Sequence, residues 1–202
     1  MIKKFNGMQW IKMNKIFGLW VLLVLGACKS EYTSLVEREL ASGQRYDSLI
    51  YGLHLGDSQK KFFTKCWELN KKGLVKQGPN NQYVELIQKE LDSTNFAKKI
   101  QTLFYGEFDA DKKMVALRMK FSFDGWGIGI YDYYSDKLLP QIKDSLNTWF
   151  PGSNDFIEIQ SEEIPYPVFV KVDGNRQVRV YQISDSEVFA KVEDLQSKYS
   201  SP

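Results

Sequence analysis

Side chains that could act as nucleophiles or metal ligands are few in this sequence of 202 residues. It contains one histidine, His54, and two cysteines, Cys28 and Cys66. A nucleophilic cysteine needs a neighbouring base, and a zinc site usually needs about four ligands. Cys66 stands on the apolar side of a helical pattern, where a free cysteine is commonly a small buried hydrophobe. The composition therefore favours neither a zinc centre nor a Cys–His pair.

Acidic side chains are the remaining candidates for acid–base chemistry or calcium binding. Those in the most suggestive positions are Asp109, Asp111, Asp132 and Asp136. The stretch that begins at Asp109 lacks the glycine and the glutamate that an EF-hand loop needs at positions 6 and 12. Turns and helix caps account for all four aspartates. Since no hydrolase, phosphate-loop or zinc-protease motif occurs, we expect a protein that is not an enzyme and has no cofactor or metal.

A stretch rich in aromatic residues and glycines, residues 124–134, is the best candidate for a ligand site. Its aromatic residues are Trp126, Tyr131, Tyr133 and Tyr134. Their rings present flat apolar faces with polar edges, which suit a glycan or a peptide, and the interspersed glycines would let a ligand approach the backbone. In the alternative interpretation Trp126, Ile128 and Ile130 pack inward and the glycines shape a bulge. The sequence leaves both interpretations open.

An apolar run near the N-terminus, Ile16–Ala27, follows four lysines and precedes the first acidic residue, Glu31. A basic segment followed by an apolar stretch of this length is typical of a secretory signal peptide. The run is shorter than the roughly 20 residues that a membrane-spanning helix needs. We therefore expect residues 1–27 to be a signal peptide.

The end of this run, Leu25-Gly26-Ala27-Cys28, resembles the lipobox of bacterial lipoproteins. The resemblance implies cleavage before Cys28 and acylation of that residue on its sulfur and its new amine. Two or three acyl chains anchor a protein stably in a bilayer. Lys29-Ser30-Glu31 is similar to the surface-export signal of Bacteroidetes lipoproteins. These resemblances imply a lipid-anchored protein of the cell envelope, on the outer membrane rather than the inner one, with the periplasmic or surface face left open.

The net charge of +2 belongs to the whole chain. Residues 1–27 contribute four lysines and no acid, so their removal leaves 23 basic and 25 acidic residues. A near-neutral chain without blocks of like charge gives no support for nucleic-acid binding. The remaining length of about 175 residues suits one domain or two small fused units.

Helix patterns with capping residues occur at three places. The first runs from Asp57-Ser58 to about Lys72 and the second from Ser135-Asp136 to about Phe150. The apolar stripe of the first, which we expect to be buried, comprises Phe62, Phe63, Cys66, Trp67 and Leu69. A final helix is expected after Ser184-Asp185-Ser186, with apolar positions at Val188, Phe189, Val192 and Leu195.

Strand patterns surround two predicted turns. Ile100–Phe108 and Met114–Phe123 are expected to be two long strands, because their apolar and polar residues alternate. Val168–Val172 and Val178–Ile183 are expected to form a hairpin around Asp173-Gly174-Asn175, since such a turn is a strong hairpin signal.

The order of these elements repeats. A capped helix, a short strand and a long hairpin follow one another in residues 57–123 and again in 135–183, with a polar insertion at 89–99 in the first copy. This predicts an α+β fold, with an antiparallel sheet, helices on one face and two tandem helix-plus-strands units. The expected boundaries are 1–27 for the signal peptide, 28–50 for the lipidated cysteine and tether, 51–123 for the first unit, 124–134 for the aromatic connector and 135–202 for the second unit with a C-terminal helix.

This arrangement resembles the β-lactamase-inhibitor-protein-like fold, which includes the SmpA/BamE-like envelope lipoproteins. The similarity lies in the helix entrance Leu53-His54-Leu55-Gly56-Asp57-Ser58 and in the later Gly78-Pro79 turn. The resemblance implies a non-catalytic binding module. We therefore expect a membrane-anchored accessory protein that contacts an envelope protein, with surface binding of a glycan or peptide, or inhibition of a secreted hydrolase, as alternatives.

Overall fold

A computed structural model describes residues 30–87 and 99–199 of the chain. The predicted signal peptide, Cys28 and nearly all of the polar insertion lie outside the described residues. The chain divides into two compact units, Met1–Ser34 and Leu35–Pro202, and only the last five residues of the first unit are described. In the described ranges no helix has both the length and the apolar character needed to cross a bilayer.

Four α-helices are present in the described part of the chain. They are α1 (Glu31–Ala41), α2 (Gln59–Lys71), α3 (Ser135–Trp149) and α4 (Leu195–Tyr199). Helix α2 begins at the predicted cap, where the Ser58 hydroxyl accepts a hydrogen bond from the Lys61 amide at 3.2 Å. The predicted cap of helix α3 is wrong, because the N-cap residue is Tyr134 and Ser135 is already the first residue of the helix. The Ser135 hydroxyl donates to the Ser184 carbonyl at 2.6 Å instead of capping its own helix.

Eight strands form one antiparallel sheet. They are β1 (Val75–Gln77), β2 (Val84–Leu86), β3 (Ile100–Phe108), β4 (Met114–Phe123), β5 (Ile157–Ile159), β6 (Val168–Asp173), β7 (Arg176–Gln182) and β8 (Glu187–Asp194). Their order across the sheet is β1-β2-β3-β4-β8-β7-β6-β5, so β4 and β8 pair at its centre. The fold is α+β, as predicted, and the β3–β4 and β6–β7 hairpins form where the sequence indicated them.

The strand directions give the sheet two distinct ends. The β3–β4 turn and the β6–β7 turn lie at the same end, because Ala116 near the start of β4 pairs with Glu193, and Glu193 also pairs with Gln177 near the start of β7. We call this the hairpin end. The opposite end, called the loop end, carries the β7–β8 turn and residues 124–134, which follow β4. With about 3.3 Å per residue, the ten residues of β4 separate the two ends by about 30 Å.

The hydrophobic core joins the two long helices to the sheet. Helix α2 contributes Phe62, Cys66 and Leu69, α3 contributes Leu138, Ile142 and Leu146, and the strands contribute Phe104, Leu117, Met119, Phe121, Val178, Val180, Val188, Ala190 and Val192. The predicted stripe of α2 is wrong at two positions, because Phe63 is 57% and Trp67 60% exposed. Successive helical residues differ by about 100°, so the buried positions 62, 66 and 69 form one stripe and positions 63 and 67 fall beside it.

The predicted final helix is also wrong. Residues 187–194 form strand β8, and the helix that follows, α4, has only five residues. The apolar residues at 188, 189, 192 and 195 fit a helical spacing, but Val188, Ala190 and Val192 also alternate with more polar or exposed positions. Pairing with β4 on one side and β7 on the other decides in favour of the strand.

The compact unit that contains the sheet begins at Leu35. Leu35, Val36, Leu49 and Ile50 are all buried. Every buried hydrophobic residue of the described ranges lies between Leu35 and Leu195. A chain that lacks residues 1–27 therefore keeps the whole described core and is expected to fold by itself.

Candidate functional site

Residues 124–134, which we call the aromatic loop, connect β4 to α3 at the loop end of the sheet. Gly125 and Gly129 have φ angles of +86° and +85°, and an added Cβ would meet no atom within 4 Å at either position. These glycines are thus required for the left-handed backbone and not for close packing. A 3₁₀ turn at Tyr131–Tyr133 completes the loop before α3 begins.

The four aromatic residues of the loop divide into two groups. The Tyr133 ring lies 5.5 Å from that of Phe123 in an edge-to-face arrangement and packs against the core. The Tyr134 ring, in contrast, lies 6.1 Å from Trp126 and 5.4 Å from Tyr131. The Tyr134 hydroxyl also accepts a hydrogen bond from the Gly129 amide at 3.3 Å. Trp126, Tyr131 and Tyr134 thus form one cluster of rings, and Tyr133 holds the loop to the domain.

Apolar side chains of the aromatic loop face solvent. Ile128 is 90% exposed and Tyr131 74%, with Ile130 and Trp126 also exposed. The inward packing of Ile128 and Ile130, which the sequence left open, does not occur. Isolated exposed apolar residues are common, but a contiguous group of them is typical of an interaction surface.

The base of the aromatic loop is held by hydrogen bonds to the β7–β8 turn. The Ser135 amide donates to the Asp185 carbonyl at 2.8 Å, and the Ser135 hydroxyl bonds both Ser184 and the Gln182 amide group. Ser135 itself is buried. A loop fixed at its base loses less conformational entropy when it binds than a free segment does.

The predicted acidic residues are not brought together into one site. Asp109 lies in the β3–β4 turn, where its carboxylate accepts a hydrogen bond from the Lys113 amide at 2.8 Å, and Asp111 follows in the same turn. Asp136 forms an exposed ion pair with Lys137 at the other end of the sheet. In the ranges that the structure covers, no group of three or more histidine, cysteine or acidic residues could hold a metal ion.

His54 and Cys66 have separate structural surroundings. The His54 amide donates to the Asp57 carboxylate at 3.1 Å, and its ring Nδ1 lies 3.8 Å from the same oxygen. Cys66 is buried in the core, as its position in the helical pattern predicted. Burial raises the pKa of the Cys66 thiol to about 11.

We expect Cys66 to make stability fall in alkaline solution. Its thiol binds a proton more tightly in the folded chain, with a pKa of about 11, than in the unfolded chain, where the ordinary value is 9.0. This contribution is complete below pH 9.0 and is lost as the pH rises through 11. The difference corresponds to about 3 kcal/mol.

Urea denaturation at several pH values would measure this loss, with Cys66→Ala as the control for the other groups that titrate in this range. If the variant shows the same alkaline loss as the original chain, Cys66 is not its cause.

A buried polar cluster at the hairpin end was missed in the sequence. The Asp173 carboxylate, 2% exposed, accepts hydrogen bonds from the amides of Ser153 and Asn154 at 2.8 and 3.0 Å. Its other oxygen lies 3.8 Å from the Lys171 ammonium and 3.9 Å from the Arg176 guanidinium, which are also buried. Burial lowers the pKa of Arg176. Charged residues beside a hairpin turn give no sequence signal of burial.

The same turn also contacts the last turn of α1 and the segment that follows this helix. The Gly174 amide donates to the Glu39 carboxylate at 3.0 Å, and the Asn175 side chain bonds the Tyr46 amide and the Asp47 carboxylate at 2.7 and 2.9 Å. Burial opposes ionisation of Glu39, but the Gly174 amide and neighbouring side chains hold its pKa below the ordinary value. We call this set, Glu39, Asp47, Lys171, Asp173, Asn175 and Arg176, the clasp.

A cavity of about 320 Å³, lined in part by charged side chains, lies at the hairpin end beside β4, β7 and β8. Its charged lining residues are Asp109, Arg179, Lys191, Glu193 and Asp194. Lys191 forms ion pairs with Glu193 at 2.9 Å and with Glu107 at 3.2 Å, and Glu107 also binds Arg118 through both carboxylate oxygens. Opposite charges that satisfy one another favour a structural network over a ligand site.

Comparisons with known proteins identify no family for the chain. No protein-family model matches it, and no curated protein matches it. Among solved structures, the chain is similar to a DUF4309 family protein (YjgB) from Bacillus subtilis subsp. subtilis str. 168, with a TM-score of 0.35 and 9% sequence identity. The match covers 79% of this chain and 93% of that chain. A TM-score and an identity at these values carry no inference about function.

Proposed function

We propose that this chain is a lipid-anchored protein of the cell envelope that acts without catalysis, by binding an envelope protein through its aromatic loop. The observation that carries the proposal is the exposed group of Trp126, Ile128, Ile130 and Tyr131 on a loop with a fixed base. Large apolar side chains on a firmly held loop supply contact area at low entropic cost.

The exposed isoleucines favour a protein partner over a glycan. A glycan binds by stacking on aromatic rings and by hydrogen bonds. The Ile128 side chain, which is 90% exposed, can supply neither of these and offers only apolar contact. Protein interfaces, in contrast, combine tyrosine and tryptophan with aliphatic residues in a central apolar patch. The loop has this composition.

The anchor belongs to the same proposal. The four-residue resemblance to a lipobox and the basic, apolar segment before it support acylation of Cys28. Segment 39–47, which begins in the last turn of α1, docks at the hairpin end, whereas the aromatic loop lies at the loop end about 30 Å away. The anchored chain would thus enter at one end and present its binding loop at the other. The outer membrane is favoured, and either of its faces suits this arrangement.

We also propose that the sheet consists of two tandem units with their helices on one face. Helix α2 is followed by β1–β4 and α3 by β5–β8, and the strand order reads the same from either edge towards the central β4–β8 pair. Both helices contribute to one core cluster with the sheet, which supports a common face. Such a repeat is the pattern that suggested a resemblance to inhibitor-like binding modules.

Photo-crosslinking in cells tests the protein contact. A photoreactive phenylalanine analogue replaces Tyr131 in the full lipidated chain, and adducts are separated and identified by mass spectrometry. We expect one predominant adduct in near-stoichiometric yield, because Tyr131 is 74% exposed within the proposed interface. The same analogue at Thr148, an exposed position of α3, serves as the control. Equal, scattered adducts at both positions would contradict the proposal.

Glycan binding is the second candidate, because the Tyr134 ring lies 6.1 Å from the ring of Trp126 and 5.4 Å from that of Tyr131. Titration with a glycan panel would change the fluorescence of Trp126, and Trp126→Phe would remove that change. If fluorescence stays constant over the whole panel, this candidate is excluded.

A further inference from the structure

A row of exposed residues runs along helix α2. Lys60, Phe63, Trp67 and Lys71 follow one another at intervals of three or four residues, and all four are exposed. Residues at these intervals are neighbours on a helix surface. We call this row the basic aromatic face. Two of its members are the aromatic residues that the sequence pattern assigned to the core.

The charge of α2 differs from that of the rest of the chain. Residues 59–72 contain five lysines and a single acidic residue, Glu68, whereas residues 28–202 together are nearly neutral. Lys61 is paired with Asp57 at 2.7 Å. The Lys71 ammonium lies 3.4 Å above the ring of Trp67, which orients an exposed indole beside a cation. The helix thus presents large rings and positive charge on one surface.

Helix α2 begins at the hairpin end of the sheet, where the Gln59 amide donates to the Lys112 carbonyl of the β3–β4 turn at 2.8 Å. Residues Glu39 and Tyr46 dock at the β6–β7 turn of the same end. The start of α2 and the docking point of Glu39 and Tyr46 thus lie at the same end of the sheet.

We propose that the basic aromatic face lies on the surface of an anionic phospholipid bilayer. Phe63 and Trp67 enter the interfacial region, where aromatic rings are favoured, and Lys60 and Lys71 meet lipid phosphates. The contact supplements the acyl chains and orients the domain with α2 towards the membrane. The role of this contact in the cell rests on the proposed anchoring at Cys28, but the contact itself can be measured without it.

Vesicle flotation tests the contact on a chain of residues 28–202 with Cys28→Ser, which keeps the whole described core and has no acyl chain. We expect it to float with vesicles of phosphatidylglycerol and phosphatidylcholine but not with phosphatidylcholine alone. Binding should weaken as salt is added, because salt screens exposed charges. Cooperative thermal unfolding of the same sample verifies that it is folded.

Variants of the basic aromatic face identify the residues responsible. Lys60→Gln and Lys71→Gln should each weaken binding about fivefold, and Phe63→Ala with Trp67→Ala should weaken it at least tenfold. Tyr131→Ala, which removes an even more exposed ring from the aromatic loop, should leave vesicle binding unchanged. The proposal is overturned if the chain ignores anionic vesicles, if it binds both vesicle types equally, or if the α2 variants bind like the original chain.

A separate measurement tests the anchor on which the cellular role depends. Labelled palmitate should enter the full chain in cells and should not enter its Cys28→Ser variant. Vesicle binding without palmitate labelling would contradict the proposed anchor alone. Labelling without vesicle binding would overturn the proposed α2 contact alone.

Discussion

Replacement of Asp173 by alanine is expected to lower the free energy of unfolding by about 3–5 kcal/mol. The variant leaves the ammonium of Lys171 and the guanidinium of Arg176 buried without their carboxylate, and both side chains are 5% exposed or less. An uncompensated buried charge is strongly destabilising. The amides of Ser153 and Asn154 also lose their acceptor, which adds to the loss.

Urea denaturation would measure the effect, and an exposed ion pair provides the matched control. Asp136→Ala removes the partner of Lys137, but both side chains are more than half exposed, so the unfolding midpoint should hardly move. A combined replacement of Lys171, Asp173 and Arg176 by apolar residues of similar size should be less harmful than Asp173→Ala alone. If Asp173→Ala costs less than about 1 kcal/mol, the clasp does not stabilise the fold as we infer.

The clasp also connects stability to the proposed function. The turn that contains Asp173 binds the Glu39 carboxylate and the Tyr46 amide, and these residues belong to the segment that leads in from the proposed lipid anchor. The clasp thereby fixes the point at which the segment after the proposed anchor meets the sheet. A Cβ at Gly152 would overlap the Asp173 carboxylate. The loop after α3 therefore packs directly against this carboxylate.

Loss of Tyr131 or Ile128 is expected to weaken binding of the proposed envelope partner about 30-fold or more, equivalent to about 2 kcal/mol. Both side chains are exposed in the free protein, Tyr131 at 74% and Ile128 at 90%, so a partner can bury most of their surface. Tyrosine is common among the residues that dominate interface energies. Tyr131→Ala and Ile128→Ser should therefore reduce affinity without changing the unfolding midpoint.

Surface plasmon resonance with the crosslinked partner, once it is identified, would measure the affinities. Phe63→Ala is the matched control, because Phe63 is a similarly exposed aromatic residue at a distance from the aromatic loop. A loss below about threefold for both loop variants, or an equal loss for Phe63→Ala, would contradict a binding role for the loop.

Several local features of this fold follow from the sequence alone. The Ser58 cap and the β6–β7 turn form as predicted, because each depends on hydrogen bonds or backbone angles of a few adjacent residues. Gly174 has a φ angle of +55° at that turn, a conformation that glycine adopts without steric cost. The aromatic loop was also recognisable as a candidate surface, since its composition departs from that of a strand or a helix.

Other features depended on contacts between distant segments. Residues 187–194 fit a helix by their spacing, but hydrogen bonds to β4 and β7 on both sides make them the eighth strand. Phe63 and Trp67 are as apolar as Phe62, yet the sheet covers only the stripe that contains Phe62, Cys66 and Leu69. No local pattern distinguishes these cases, because the energy that decides them comes from partners elsewhere in the chain.

Local hydrogen bonding and periodicity are enough to specify the α+β class, the two hairpins and the Ser58 cap from the sequence. The folded chain was needed to show that Lys171, Asp173 and Arg176 are buried together, that Tyr133 packs inward, and that Ile128 and Tyr131 face solvent. Burial is a property of the assembled sheet and helices, since it depends on which surfaces distant segments cover.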